Sequence, residues 1–184
     1  MTYTHFDTAL IVGAGSGLSA SLARALAKEG VKVALAARST DDLEPLAKET
    51  GAHTFACDAS RRGDVEKLFA ALDGGFGAPE IVIYNASFRT RGPFVELDPA
   101  DVEKAIAVTA FGAFLVAQQA ARRMLPKRRG VILLTGASTR RALLMAPSIT
   151  TCATWMPCGA SSRAMLCAKP RNANLPMAKG ADWG

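Results

Sequence analysis

Residues 9 to 38, ALIVGAGSGLSASLARALAKEGVKVALAAR, constrain the fold of this chain more than any other stretch. They read as an apolar strand (Ala9 to Val12), a glycine-rich turn, a helix beginning near Ser19 and a second apolar strand. A parallel βαβ unit is built in this order. Gly13, Gly15 and Gly17 allow a tight turn and a close backbone approach to a phosphate. The helix behind them turns its free N–H groups and positive dipole end toward the same point. Leu18, Leu22, Ala25 and Leu26 recur at helical spacing, and Gly30 stands where a left-handed C-terminal residue is expected. The turn therefore predicts a dinucleotide site. Its register is irregular. As G-x-G-x-x-G/A it takes Gly15, Gly17 and Ala20; as G-x-x-x-G-x-G it takes Gly13 and Gly17 and puts Ser19 in the third glycine's place. The extra Cβ and hydroxyl predict a reduced cofactor affinity.

The alternation continues. Thr40 to Glu49 reads as a helix followed by Gly51, His53 to Cys57 as a strand ending at Asp58, and Asp64 to Leu72 as an amphipathic helix running into the turn Gly74-Gly75-Phe76-Gly77. Glu80 to Tyr84 is a buried-type strand ending at Asn85, and Arg89 to Asp98 is a loop. Asp98 and Pro99 start a long helix expected to run to Leu125, where Pro126 ends it. Val131 to Thr135 is a fifth strand. Strands alternating with helices predict an α/β, three-layer, doubly wound parallel sheet of order 3-2-1-4-5 over residues 9 to 138, truncated after the fifth strand. Ligands in such sheets bind beyond the carboxyl ends of the strands. That directs attention to Gly13, Gly15, Ser16, Gly17 and Leu18, then to Arg38, to Asp58 and Ala59, to Asn85, Ala86 and Ser87, and to Gly136 to Ser138.

These positions, taken together, resemble the short-chain dehydrogenase/reductase family over residues 9 to 138. The family's glycine motif corresponds to Gly13, Gly15 and Gly17, and its acidic residue after the third strand to Asp58. Its N-A-G turn resembles Asn85-Ala86-Ser87, its long fourth helix resembles VTAFGAFLVAQQAARRML, and its catalytic serine falls on Ser138. The resemblance implies an NAD(P)-dependent oxidoreductase moving a hydride between nicotinamide and a small carbonyl or alcohol. It also implies cofactor contacts from Gly13, Gly15, Ser16, Gly17, Leu18, Arg38, Asp58, Ala59, Asn85 and Ala86. At the end of the second strand an acid would accept the ribose hydroxyls of NAD. Arg38 instead suits a 2′-phosphate and favours NADP; NAD remains open through Asp41 or Asp42 as the ribose partner.

Two departures stand out. The family's Tyr-x-x-x-Lys pair, a proton donor and the cation that tunes it, is absent: the only tyrosines are Tyr3 and Tyr84, and no lysine lies between Lys127 and Lys169. The asparagine of the family's fourth helix falls on Thr109. Beyond Ser138 the chain also changes character. Residues 139–184 hold three of the four cysteines, both tryptophans, six basic residues and one acid, so most of the net charge of +6 lies there, and no periodicity is legible. This predicts an N-terminal dinucleotide-binding domain over 1–138 and an atypical tail, poorly ordered or frame-shifted, after it. A catalytically incomplete enzyme, a non-catalytic dinucleotide-binding module and a truncated product all fit.

Composition excludes several other classes. The basic tail has no aromatic interleaving, so no nucleic-acid partner is expected. The polar start, Met1 to Thr8, lacks a leader pattern, which predicts a cytoplasmic protein. Residues 105–121 are uncharged, but Gly112, Thr109, Gln118 and Gln119 argue against a membrane span. They favour a helix buried on the sheet, with residues 99–125 as a candidate homo-oligomer contact. The cysteine spacing predicts neither metal nor disulfides. Arg89 and Arg91 are candidates to attract an anionic substrate or cofactor phosphate.

Overall fold

The computed structural model describes residues 5–136 and the short strand 155–157. In chain order the elements are β1 (Thr8–Val12), α1 (Leu18–Lys28), β2 (Lys32–Ala37), α2 (Glu44–Thr50), β3 (His53–Ala56), α3 (Arg62–Ala71), β4 (Ile81–Tyr84), α4 (Pro99–Ile106), α5 (Gly112–Met124), β5 (Val131–Leu134) and β6 (Trp155–Pro157). The strands lie in the order β3-β2-β1-β4-β5-β6. The first five are parallel throughout, with Ile11 opposite Leu35 on one side and Ile83 on the other. The order 3-2-1-4-5 is the expected one. The sixth strand, for which the sequence shows no alternation, pairs antiparallel with β5 and covers an edge that would otherwise expose a row of unpaired backbone groups. Ser138 and the tail other than β6 lie outside the described residues.

Side chains of the central strands alternate between two cores. Leu10, Val12, Ala34, Ala36, Val82 and Tyr84 pack with Leu68, Phe69 and Val116 of α3 and α5. Ile11, Val33, Leu35 and Ile83 pack on the other face with Ala20, Ala23 and Leu46 of α1 and α2. This is why the central strands are apolar beyond their first residues, Thr8 and Lys32: a sheet covered on both faces needs no polar side.

The local signals hold at the helix ends. Gly51 closes α2 in the left-handed region, Gly30 follows α1 with φ +79°, and Asp98 caps α4 through its carboxylate, which accepts from the Ala100 N–H at 2.9 Å. Four readings change. The helix over 40–49 begins as a 3-10 turn, Asp41–Leu43. The Gly74–Gly77 turn is instead a continuation of α3 as a wide turn, Leu72–Phe76, closed by the Gly77 N–H on the Leu72 carbonyl. The long helix is interrupted by another wide turn, Ala107–Phe111, between α4 and α5. On α1 the buried face is Ser19, Ala20 and Ala23, whereas Leu18 and Ala25 are exposed. Small residues let α1 approach the sheet closely, and that rotates Leu18 outward.

Candidate functional site

The carboxyl ends of β1, β2, β3 and β4 open into one cleft of about 920 Å³. Gly13, Gly15, Ser16, Arg38, Asp58, Ala59, Asn85 and Ala86 all line it, so eight of the ten residues expected to contact a cofactor are brought together. Gly17 and Leu18 are not among the lining residues. Gly17 instead serves as the N-cap of α1 with no side chain capping the helix; its carbonyl takes the Ala20 N–H at 3.1 Å, which leaves the Leu18 and Ser19 N–H groups for an anion. The catalytic candidate, Ser138, lies outside the described residues.

The glycines at 13 and 15 do different work. Gly13 has φ +81°, and a Cβ there would come within 2.7 Å of the Ala86 Cβ and closer still to the Ala86 backbone. This close approach joins the β1 turn to the β4 turn. Above Gly15 and Gly17 nothing lies within 4 Å of a built Cβ. That open surface is a fitting cradle for a pyrophosphate, because its walls are backbone and its floor is a helix N-terminus. The residues present therefore fit a dinucleotide. Once bound, such a cofactor supplies or takes up a hydride, and the chain's part is to orient it.

Asp58 is held by its own turn. Its Oδ1 accepts from the Ser60 hydroxyl at 2.7 Å and the Ser60 N–H at 3.0 Å. These bonds, aided by the charges of Arg61 and Arg38, outweigh partial burial and hold its carboxyl below the ordinary aspartate range. It is a fixed anion facing the cleft. Arg38, exposed at the end of β2, is the opposite charge on the same rim. Asp42 also lines the cleft. Cys57, buried beneath the rim, has its thiol pushed up to about 11 by burial, so it is an inert wall.

Asn85 ends β4 with its backbone N–H on the Val12 carbonyl at 2.7 Å. Its side chain is fully engaged: Nδ2 donates to Ser19 Oγ at 2.8 Å, and Oδ1 accepts from Thr135 Oγ1 at 2.7 Å. The loop after it is pinned by Thr109, whose hydroxyl accepts from the Phe88 N–H at 3.3 Å and sits 3.4 Å from the Phe88 carbonyl oxygen. Phe88 and Val108 line the cleft without any signal in the sequence. They reach it because the wide turn at 107–111 aims Thr109 at the loop, a pairing 21 residues apart.

Tyr84 is no substitute for the missing proton donor. It is 2% exposed, and its hydroxyl donates to the Val108 carbonyl. Burial, with smaller contributions from Cys57 and Asp58, drives its pKa well above the usual tyrosine value. A tyrosine useful at neutral pH needs the reverse shift. Arg89 and Arg91 are exposed and do not line the cleft. Among the described residues no cluster of His, Cys, Asp and Glu could hold a metal, and no helix is long and apolar enough to cross a membrane.

Comparison with known proteins agrees with this geometry. A D-threitol dehydrogenase from Mycolicibacterium smegmatis is 32% identical over 130 residues, 68% of this chain and 50% of that protein. A gluconate 5-dehydrogenase from Gluconobacter oxydans is 31% identical over 68% of this chain and 51% of its own length. The chain thus spans about half the length of these relatives. A solved short-chain type dehydrogenase/reductase from Mycobacterium marinum superposes with a TM-score of 0.68 at 29% identity, over 71% of this chain and 56% of that one. The sequence profile of the short chain dehydrogenase family matches residues 7–143, which takes in the glycine turn, Arg38, Asp58 and Asn85. On that match and on the shared sheet, this chain belongs to the short-chain dehydrogenase family.

Proposed function

We propose that this chain binds NADP in the cleft at the strand ends, and that it is a catalytically incomplete oxidoreductase for a small carbonyl or alcohol. The observation that carries the cofactor reading is the position of Arg38. It lies at the end of β2 on the rim of the cleft that begins at the glycine turn. A guanidinium there offers paired N–H donors to a 2′-phosphate. The open cradle over Gly15 and Gly17 receives the pyrophosphate, and Asp58 faces the adenine end.

Incompleteness follows from the residues. The sequence has no Tyr-x-x-x-Lys pair, Tyr84 is buried with its hydroxyl occupied, and Thr109 spends its hydroxyl on Phe88. Ser138 is the single member of the expected catalytic set. General acid catalysis contributes roughly 10²–10⁴-fold, so activity without it is feeble. The same residues favour a second reading, a dinucleotide-binding module without turnover. The reading places the protein in the cytoplasm, where the reduced dinucleotide is supplied. It also gives residues 99–125 a self-association role, because Phe111 and Phe114 stack at 6.4 Å while 47% and 55% exposed.

A fluorescence titration with NADPH and NADH tests binding, and a panel of carbonyl substrates tests turnover. Tighter binding of NADPH with very slow turnover is the expected result. Equal affinity for the two dinucleotides contradicts the role of Arg38. Family-typical turnover surviving Ser138→Ala contradicts incompleteness.

A further inference from the structure

Apart from Tyr84 and Cys57, Ser19 is the one buried residue with a polar side chain among those described, 1% exposed in the first turn of α1. A buried hydroxyl with a partner on only one side would be costly, yet this one is satisfied on both. Ser19 Oγ accepts from Asn85 Nδ2 at 2.8 Å and donates to the Gly13 carbonyl at 3.1 Å. Asn85 Oδ1 in turn accepts from Thr135 Oγ1 at 2.7 Å. The polarity of this chain is self-consistent: the Gly13 carbonyl can only accept, so Ser19 must donate to it and accept from Asn85. The Asn85 amide then has its oxygen turned toward Thr135. One file of hydrogen bonds therefore crosses from the end of β5 through the end of β4 into α1 and back to the glycine turn after β1.

We propose that Ser19 is a positioning residue of the dinucleotide site: its hydroxyl locks the carbonyl of Gly13, and with it the phosphate-facing turn 13–17, to Asn85 and Thr135. A glycine at 19 would leave the Gly13 carbonyl only the direct contact from Asn85 Nδ2, at 3.5 Å the far limit of a hydrogen bond. Gly13 is the residue whose φ of +81° directs the turn, and its N–H and that of Ala14 both donate to the Ala36 carbonyl, at 2.9 and 3.0 Å. The turn is thus held to β2 by its N–H groups and to β4 and β5 by its carbonyl. Gly15 and Ser16, which line the cleft, hang between those anchors. The serine that the sequence predicts as a handicap to cofactor affinity becomes a source of it.

The inference rests on dinucleotide binding, so its test separates the two. Hydrogen exchange of the ligand-free 184-residue protein is measured for the wild type, Ser19→Ala, Thr135→Val and the double variant, alongside NADPH and NADH titrations of the same samples. In Ser19→Ala the amides of Gly13 and Ala14 are expected to exchange about tenfold faster. NADPH affinity is expected to fall about tenfold, the scale of one lost buried hydrogen bond. Thr135→Val, which breaks the file at its far end, should do the same more weakly, and the double variant should lose less than the two effects combined. If Ser19→Ala does not fold, Thr135→Val carries the same test. Unchanged exchange at 13–14 with unchanged affinity overturns the proposal. So does a lowered melting temperature with unaltered affinity, which makes Ser19 merely structural. If the wild type binds neither dinucleotide, the proposed function fails, and exchange alone decides whether Ser19 orders the turn.

Discussion

Gly112 begins α5 directly against Ala59 at the head of the β3–α3 loop: a Cβ on residue 112 would stand 2.7 Å from the Ala59 carbonyl oxygen and would overlap the Tyr84 hydroxyl. A helix more than fifty residues further along the chain thus rests on the loop that carries Asp58 into the cleft. Gly112→Ala is expected to destabilise the protein by about 1–3 kcal/mol. The gain from alanine's helix propensity, about 1 kcal/mol at most, does not offset a collision with backbone. Urea unfolding read by tryptophan-independent far-UV circular dichroism checks it, and an unchanged midpoint contradicts the close approach.

The Gly13 turn is the second sensitive point. Gly13→Ala combines a strained left-handed φ, about 1–3 kcal/mol, with a clash against Ala86. It should abolish measurable dinucleotide binding, while Gly15→Ala, with open space around its Cβ, should fold normally and weaken binding only by crowding the phosphate. Equal effects of the two substitutions on stability would be the wrong result.

Arg38→Asp should reverse the cofactor preference. It removes a charged donor contributing about 1.5–3 kcal/mol to a 2′-phosphate and puts a ribose acceptor in its place. Parallel titrations with NADPH and NADH report the change, and a variant that still prefers NADPH assigns the phosphate to another residue.

Asp73 and Glu80 are two of the carboxylates on which acid stability depends. The Arg123 hydrogen bonds, at 2.6 Å for the shortest, together with Arg123 and Lys127 charge hold Asp73 below its ordinary range against partial burial. For Glu80, burial pushes upward, but Arg129, at 2.7 Å, and the Asp7 N–H, at 2.8 Å, outweigh it and leave the group lowered. A carboxylate lowered on folding stabilises the protein above its unfolded pKa, near 4. That stabilisation is lost as the pH falls from there through the folded value. Urea midpoints should be level from neutral pH down to about 5 and then drop. Glu80→Gln should lower the plateau and make the drop shallower; an unaltered profile would show that the pair contributes nothing.

Self-association through residues 99–125 predicts that Phe111→Glu combined with Phe114→Glu lowers the mass measured by light scattering while the far-UV circular dichroism spectrum stays that of the folded chain. Both rings are half exposed, so their loss removes no core. A wild type that is already monomeric refutes it.

What the sequence determined by itself is local or periodic. The strand and helix order, the parallel sheet, the left-handed glycines at 30 and 51, the Asp98 cap and the cluster of Gly13, Arg38, Asp58 and Asn85 at strand ends all follow from patterns within a few residues, joined by the handedness of βαβ crossovers. The tertiary structure decided everything that depends on which side chains meet. Leu18 belongs to the apolar stripe by spacing, yet faces outward because Ala20 and Ala23 draw α1 onto the sheet. Phe88 enters the cleft because Thr109 holds its backbone. Tyr84 is removed from chemistry by the Val108 carbonyl, and Ser19 is joined to Asn85 across 66 residues. No local propensity encodes such contacts, since a hydrogen bond between distant segments exists only once packing has excluded water and brought both partners within reach.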